Sequence, residues 1–362
     1  MMQEHGGNLR EISRRHAVDE DAIIDFSSNI NPLGCPPAVR SLLRNGAALL
    51  SSYPDTHCIE LREALASSLG CGPQSIIAGN GSTELIYLIP RAFKPRRALI
   101  FTPTFSEYEK SLLAAGCSVR SVPLKEEEGF KVRAEEAIGL LPRVDMLFIC
   151  NPNNPTGALI EQEVLSAILI EAEKKGVLVV VDEAFVDFAP HHSIAADISR
   201  RTNLMVLRSM TKFYGIPGIR LGYLAGPPPL VKQLNRSKEP WTVNAFAQKI
   251  GIACAADRRF AAETRRFVAA ERECLFSRLQ SIAGVQPQPS SANYLLLKIT
   301  RRGLSSALLY EELARRGILV RDCRSFTGMG NRFLRVAVKR RSDNRLLLAA
   351  LKKVVGDYVG TD

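Results

Sequence analysis

The sequence predicts an α/β protein with a large mixed, mostly parallel sheet domain and a smaller α+β domain. Three observations carry this prediction. Between about residues 75 and 225, short apolar runs rich in β-branched residues alternate with helical stretches, the pattern of a parallel sheet covered on both faces. Beyond them, a long helical pattern gives way to three more apolar runs separated by helices. A chain of 362 residues that is 46% hydrophobic can also bury more than one core.

Taken in order, the N-terminal "MMQEHGGNLREISRRH" lacks the apolar stretch of a secretory signal, and no apolar run is long enough to span a bilayer. A cytoplasmic protein without a membrane partner is the expectation. The Asn- and Pro-rich part of "IIDFSSNINPLG" suits neither a helix nor a free tail and is expected to pack on both domains. Strands are then expected at "SIIAGN", "ALIFTP", "CSVRSVPL", "MLFICNP", "VLVVVDEAF", "NLMVLRS" and "LGYLAG". A long helical pattern covers about Ala245 to Gln280, and "ANYLLLKI", "GILVRDC" and "FLRVAV" supply the strands of the smaller domain.

Composition excludes several classes. The net charge of +11 comes from Arg pairs spread along the chain, without a helix-turn-helix, zinc-finger or RNA-binding signature, so a solvated surface is expected and no nucleic-acid partner. The eight cysteines form no CxxC pair and read as reduced core thiols, with no disulfide framework and no metal site.

The stretch "RSMTKFYGIPGIRLGY" (Arg208 to Tyr223) places Lys212 three residues after Ser209 and eight before Arg220, between two apolar runs. A lysine desolvated there has a lowered pKa and is a nucleophile that forms Schiff bases. Ser209 and Arg220 suit a phosphate, through a hydroxyl donor and a guanidinium fork. An amine for an aldehyde beside a phosphate grip points to pyridoxal 5'-phosphate (PLP). "AGNGSTELI" adds a strand-to-helix turn in which Ser82 or Thr83 could simply be an N-cap, or in which Gly81, Ser82 and Thr83 offer a second anion site at a helix N-terminus. In "CNPNNPTG" the two prolines and the glycine can be an ordinary turn, or Asn154 can donate its amide to a ring oxygen of the cofactor. Asp182 ends the apolar strand of "VVVDEAFVDF", where an unpaired carboxylate would be costly, and a protonated pyridine nitrogen is its natural partner.

"NPNNPTG", "DEAF" and "SMTKFYGIPGIRLGY", in this order, resemble the fold-type I PLP enzymes of the aspartate aminotransferase superfamily, in the branch that holds histidinol-phosphate aminotransferase. Within it, "HGGN", "DFSSNINPLG", "YPD", "TPTFSEYE" and "DEAF" are similar to the decarboxylases of phosphothreonine in cobalamin biosynthesis. The resemblance implies Lys212 and Asp182 as catalytic residues, on the cofactor's aldehyde and ring nitrogen. It implies Asn154 at the ring oxygen and the substrate, Phe105 stacked on the ring, and Ser82, Thr83, Ser209 and Arg220 at the phosphate. Tyr53 would reach the cofactor phosphate of a neighbouring subunit, which implies a homodimer with shared sites. His5, Gly6, Asn29, Arg321 and Arg335 would bind a phosphorylated amino acid, the arginines anchoring its carboxylate. The implied division is an N-terminal arm with part of the small domain over 1–48, a large PLP-binding domain over 49–240 and a small C-terminal domain over 241–362. Aminotransferases of this branch usually carry a tyrosine where this chain has Phe185, which favours decarboxylation over histidinol-phosphate transamination.

Overall fold

The computed structural model describes residues 6–358. Its strands are β1 (Ile24–Asp25), β2 (Ile76–Asn80), β3 (Arg97–Thr102), β4 (Ser118–Pro123), β5 (Met146–Cys150), β6 (Leu178–Asp182), β7 (Leu204–Ser209), β8 (Leu221–Ala225), β9 (Val285–Pro287), β10 (Tyr294–Ile299), β11 (Ile318–Leu319), β12 (Arg321–Asp322) and β13 (Phe333–Ala337). Seven of them form one sheet in the order β2-β8-β7-β6-β5-β3-β4. From β7 to β4 the neighbours run parallel, whereas β8 is antiparallel to both β7 and β2. Val179, Val180 and Val181 of β6 are wholly buried, because this central strand is covered on both faces; that is why it reads as an unbroken apolar run.

The smaller sheet, β12-β13-β10-β9, is antiparallel. Its core is separate from the two clusters that flank the large sheet and includes Leu295, Leu297, Leu334 and Leu347. The helical pattern expected as one unit over 245–280 is two helices, Ala245–Ala256 and Arg258–Gln280. Asp257 breaks it: its backbone is non-helical (φ −85°, ψ 74°) and its carboxylate caps the second helix, accepting the Phe260 N–H at 2.9 Å. The first of these helices packs on the helices Ile59–Leu69 and Pro37–Asn45, and its Ala247, Ile250 and Cys254 join a core of the large sheet. The run "GILVRDC" likewise divides at Val320, where the chain changes partner from β1 to β13.

The N-terminal segment packs on both units. β1 and β11 form a separate two-stranded parallel sheet, pairing Ile24 with Ile318, and the Phe26 carbonyl accepts the Ala337 N–H of β13 at 2.8 Å. Further along, the Asn31 amide donates to the Phe213 carbonyl at 2.7 Å and to Thr264 Oγ1 at 2.9 Å, while Asn31 N–H donates to the Lys212 carbonyl at 3.0 Å. Among the described residues, no helix is long and apolar enough to cross a membrane.

Candidate active site

Parallel strands end their C-termini on one edge, and ligands of such sheets bind there, beside the loops and helix N-termini. Asp182 is the last residue of β6 and Ser209 the last of β7; Lys212 follows in the short helix Met210–Phe213. Together with the segment around Asn29 and the strands β12 and β13, they surround an open-mouthed cleft of about 200 Å³, a concave site in which a small ligand would be largely enclosed.

Of the residues expected from sequence, Gly6, Asn29, Ser82, Thr83, Phe105, Asn154, Asp182, Lys212, Arg321 and Arg335 all line this cleft, as does Phe185. Ser209 stands just behind, its Oγ accepting from Lys212 Nζ at 3.0 Å and sharing a 2.9 Å hydrogen bond with Thr211 Oγ1. Tyr53 does not reach the cleft: it is 84% exposed and its ring lies 5.3 Å from that of Trp241. His5 lies outside the described residues.

One end of the cleft is built for an anion. The helix Ser82–Phe93 begins there with Gly81, not Ser82 or Thr83, as its N-cap (φ 78°). A Cβ on Gly81 would stand 2.4 Å from Arg220 Nη2, and one on Gly222 would stand 2.4 Å from the Ser82 nitrogen. Only glycine allows both approaches, and they bring a guanidinium to free helix N–H groups.

At the other end sits a buried carboxylate. Asp182 Oδ2 accepts from the Tyr108 hydroxyl at 2.7 Å and Oδ1 from the Ala184 N–H at 2.8 Å. Burial pushes the Asp182 carboxyl above the usual range, opposed by the Tyr108 hydrogen bond, the Lys212 cation and the Ala184 N–H. Burial and the neighbouring carboxylate hold the Tyr108 phenol far above its usual range, so it remains a donor. The Lys212 amine is pulled below the usual lysine range by burial and by Arg220 and Arg335, against Asp182. Its Nζ lies 5.7 Å from the centre of the Phe185 ring, which packs edge-on against Tyr294 at 5.0 Å.

The third wall is cationic. Arg321 of β12 and Arg335 of β13 are register partners and both are buried. Burial, then the charge of Arg335, pushes Arg321 down to about 10, and burial lowers Arg335 also. The Arg335 guanidinium donates to Asn154 Oδ1 and, at 2.8 Å, to the Ser27 carbonyl. That contact commits the Asn154 oxygen and leaves its NH₂ group free to donate into the cleft.

Sequence reasoning missed Tyr108, Ser27, Ser325 and Asn31. Tyr108 is three residues beyond Phe105 at the start of the helix Glu107–Ala114, a spacing that puts both on one side of that turn; this signal was present. The Asp182 partner itself is 74 residues away in sequence, and no local pattern marks it.

The fold, with a buried lysine and a buried carboxylate in one cleft beside an anion cradle, defines a family. The family of class I and II aminotransferases matches residues 21–351, and the chain belongs to it. Within that family it is 37% identical to the threonine-phosphate decarboxylase of Salmonella typhimurium, over 99% of this chain and 98% of that one. It is 30% identical to the adenosylcobalamin biosynthesis bifunctional protein of Leptospira interrogans, over 98% of this chain and 41% of that protein. Its structure is similar to that of the histidinol-phosphate aminotransferase from Clostridium acetobutylicum, with 32% identity, a TM-score of 0.87 and coverage of 92% of this chain and 99% of the other.

Proposed function

We propose that the protein is a PLP-dependent lyase that decarboxylates O-phospho-L-threonine to (R)-1-aminopropan-2-yl phosphate and carbon dioxide in cobalamin biosynthesis. One observation carries the substrate class: two buried arginines, Arg321 and Arg335, face each other across β12 and β13 in the lysine cleft. Two desolvated cations at this spacing call for a ligand with more than one anionic group, and the 37% identity to a threonine-phosphate decarboxylase supports the same reading.

The residues present fit PLP. Lys212 would take its aldehyde, Asp182 its ring nitrogen and Asn154 its ring oxygen. Ser82, Thr83, Ser209 and Arg220 would hold its phosphate in the cradle that a Cβ at Gly81 would fill. Phe105 would lie on the ring. When bound, the cofactor supplies an electron sink for the pair left at Cα as carbon dioxide departs.

The protein's own part is to bind, orient and keep water out. Arg321 and Arg335 anchor the anionic groups of the substrate, and Gly6 and Asn29 close the side of the N-terminal arm. The buried Asn29 Oδ1 has no hydrogen-bond partner among the described residues and is available to a ligand donor. Fixing the substrate's orientation decides which bond at Cα breaks, and orientation alone contributes several kcal/mol, up to about 7–11, to such steps. The lowered pKa of Lys212 suits its Nζ to give or take a proton at Cα. Phe185 contributes an apolar wall where a tyrosine hydroxyl would offer a further donor.

The same reading includes a homodimer. Tyr53, Leu50 and Trp241 are exposed at 84%, 78% and 51%, an apolar surface that a second copy would cover, and in this reading a Tyr53 from the neighbouring subunit serves the phosphate end of the cleft. The chain would divide into an arm segment over 1–48, a cofactor-binding domain over 49–240 and a small domain over 241–362, with the helix Ala245–Ala256 laid on the large domain.

The test is to supply the PLP-loaded protein with O-phospho-L-threonine and measure carbon dioxide, with histidinol phosphate and 2-oxoglutarate in a parallel assay. Carbon dioxide without glutamate is expected. Glutamate without carbon dioxide would make the protein an aminotransferase.

A further inference from the structure

The mechanism above leaves Ser27 without a role, although this residue is only 1% exposed and lies in the cleft wall. Its hydroxyl donates to Asp25 Oδ1 at 2.6 Å and accepts the Gly7 N–H at 2.8 Å. The direction of both bonds is fixed, because a carboxylate can only accept and an amide N–H can only donate. Asp25 Oδ1 also accepts the Ser27 N–H at 2.8 Å and the Ser28 N–H at 3.2 Å, which pins the local turn. The Ser27 carbonyl accepts from the Arg335 guanidinium at 2.8 Å, and Arg335 in turn holds Asn154.

One residue therefore joins the N-terminal arm, through its hydroxyl, to the anion-binding arginine, through its carbonyl. Gly6 shows how closely the arm is seated. A Cβ there would lie 2.4 Å from the Ser27 carbonyl oxygen, so only glycine lets the arm reach the group that holds Arg335. The next residue, Gly7, adopts φ +90°, which turns its N–H onto the serine.

We propose that Ser27 is a positioning residue that couples the seating of the arm to the placement of Arg335, so that substrate affinity depends on the Gly7–Ser27 hydrogen bond. The inference rests on the proposed decarboxylase reading only for the identity of the substrate. The coupling itself is a property of this chain.

The experiment compares the full-length, PLP-loaded protein with its Ser27→Ala and Ser27→Thr variants. Hydrogen exchange of the Gly7 amide is read together with exchange across β5, β6 and β7, and KM and kcat are measured with O-phospho-L-threonine. In Ser27→Ala the Gly7 amide is expected to lose protection while the sheet keeps its own. KM should rise about ten-fold or more, the scale of a buried donor left without an acceptor, with a smaller change in kcat. Ser27→Thr, which keeps the hydroxyl, should restore both readouts in part. Unchanged Gly7 protection in the alanine variant would overturn the proposal. So would lost protection with KM unaltered, or loss of protection throughout the sheet, which would mark a merely structural role. If the wild type released no carbon dioxide from this substrate, the decarboxylase reading would fail, and the coupling would then be decided by the Gly7 exchange together with the dissociation constant of each variant for inorganic phosphate.

Discussion

Arg321 and Arg335 stand directly opposite one another on β12 and β13, and each guanidinium lies 5.2 Å from the centre of an aromatic ring, Phe326 for the first and Tyr294 for the second. Like charges paired across strands destabilise a sheet, and burial adds to the penalty; the rings offset part of it. A dianionic ligand bound there would relieve the remainder, which would link ligand binding to stability at this pair. O-phospho-L-threonine should raise the melting temperature of the PLP-loaded protein. Arg321→Met or Arg335→Met should abolish most of that increment, measured by differential scanning fluorimetry. An increment that survived both substitutions would place the substrate elsewhere.

Lys212 has its pKa lowered by burial, and the sign of the consequence follows. The neutral amine is the nucleophile and is present above the pKa, so lowering that pKa moves the onset of reactivity to lower pH. Capture of PLP by the apoprotein, followed by its absorbance change, should reach its plateau below pH 10.5, the ordinary lysine value. Lys212→Ala should lack both the absorbance change and turnover.

Tyr108→Phe removes one of the donors that hold Asp182 ionised. The Asp182 pKa is already raised by burial, so the folded state disfavours the charged form, and loss of the phenol makes that worse. The variant should be less stable than wild type by about 1–3 kcal/mol at neutral pH. The difference should shrink as pH falls through the raised Asp182 pKa, above 3.8, because the proton then removes the charge. Urea titrations at several pH values would check this; a difference independent of pH would contradict it.

Arg208 donates to Glu183 Oε2 at 2.8 Å and to Asp187 Oδ1 at 3.1 Å, with Glu183 wholly buried. Removing one member of such a pair strands the other charge. Arg208→Ala should lower the unfolding free energy by about 3–5 kcal/mol, read from chemical denaturation. Because Arg208 precedes Ser209 and Glu183 follows Asp182, affinity for PLP should fall as well.

Gly81→Ala tests the cradle. The added methyl meets Arg220 at 2.4 Å and the backbone must hold φ +78°. PLP affinity is expected to drop at least ten-fold, the scale of that φ penalty alone, measured by titration of the apoprotein, with catalytic constants of any enzyme that remains loaded little changed.

Much of this site was legible in the sequence, because the groups that do chemistry sit at strand ends, and strand ends are marked by abrupt changes of composition. Asp182 after three valines and Lys212 after "NLMVLRS" are of this kind. The residues that orient them were not legible. Ser27 and Asn31 work through partners far along the chain, and nothing in a local window distinguishes a buried hydroxyl or amide with a partner from a surface one; the spacing of Tyr108 from Phe105 marks its side of the turn but not its partner Asp182. The helix break at Asp257 was hidden for another reason. Its neighbours on both sides are good helix formers, and the aspartate ends one helix only by capping the next. Tyr53 was expected at a site only through its likeness to relatives, and in the single chain it lies on the surface, away from the cleft.

The pairing of Ile24 with Ile318 has a consequence for biosynthesis. In chain order every strand of the seven-stranded sheet lies before residue 226, and the helix Ala245–Ala256 that completes one of its cores follows soon after. Asn31 of the N-terminal segment can already meet Lys212 and Phe213 at that stage, but β1 has no strand to pair with until β11 is made. Pairing of β1 therefore follows closure of the large sheet, the order expected when distant segments must meet.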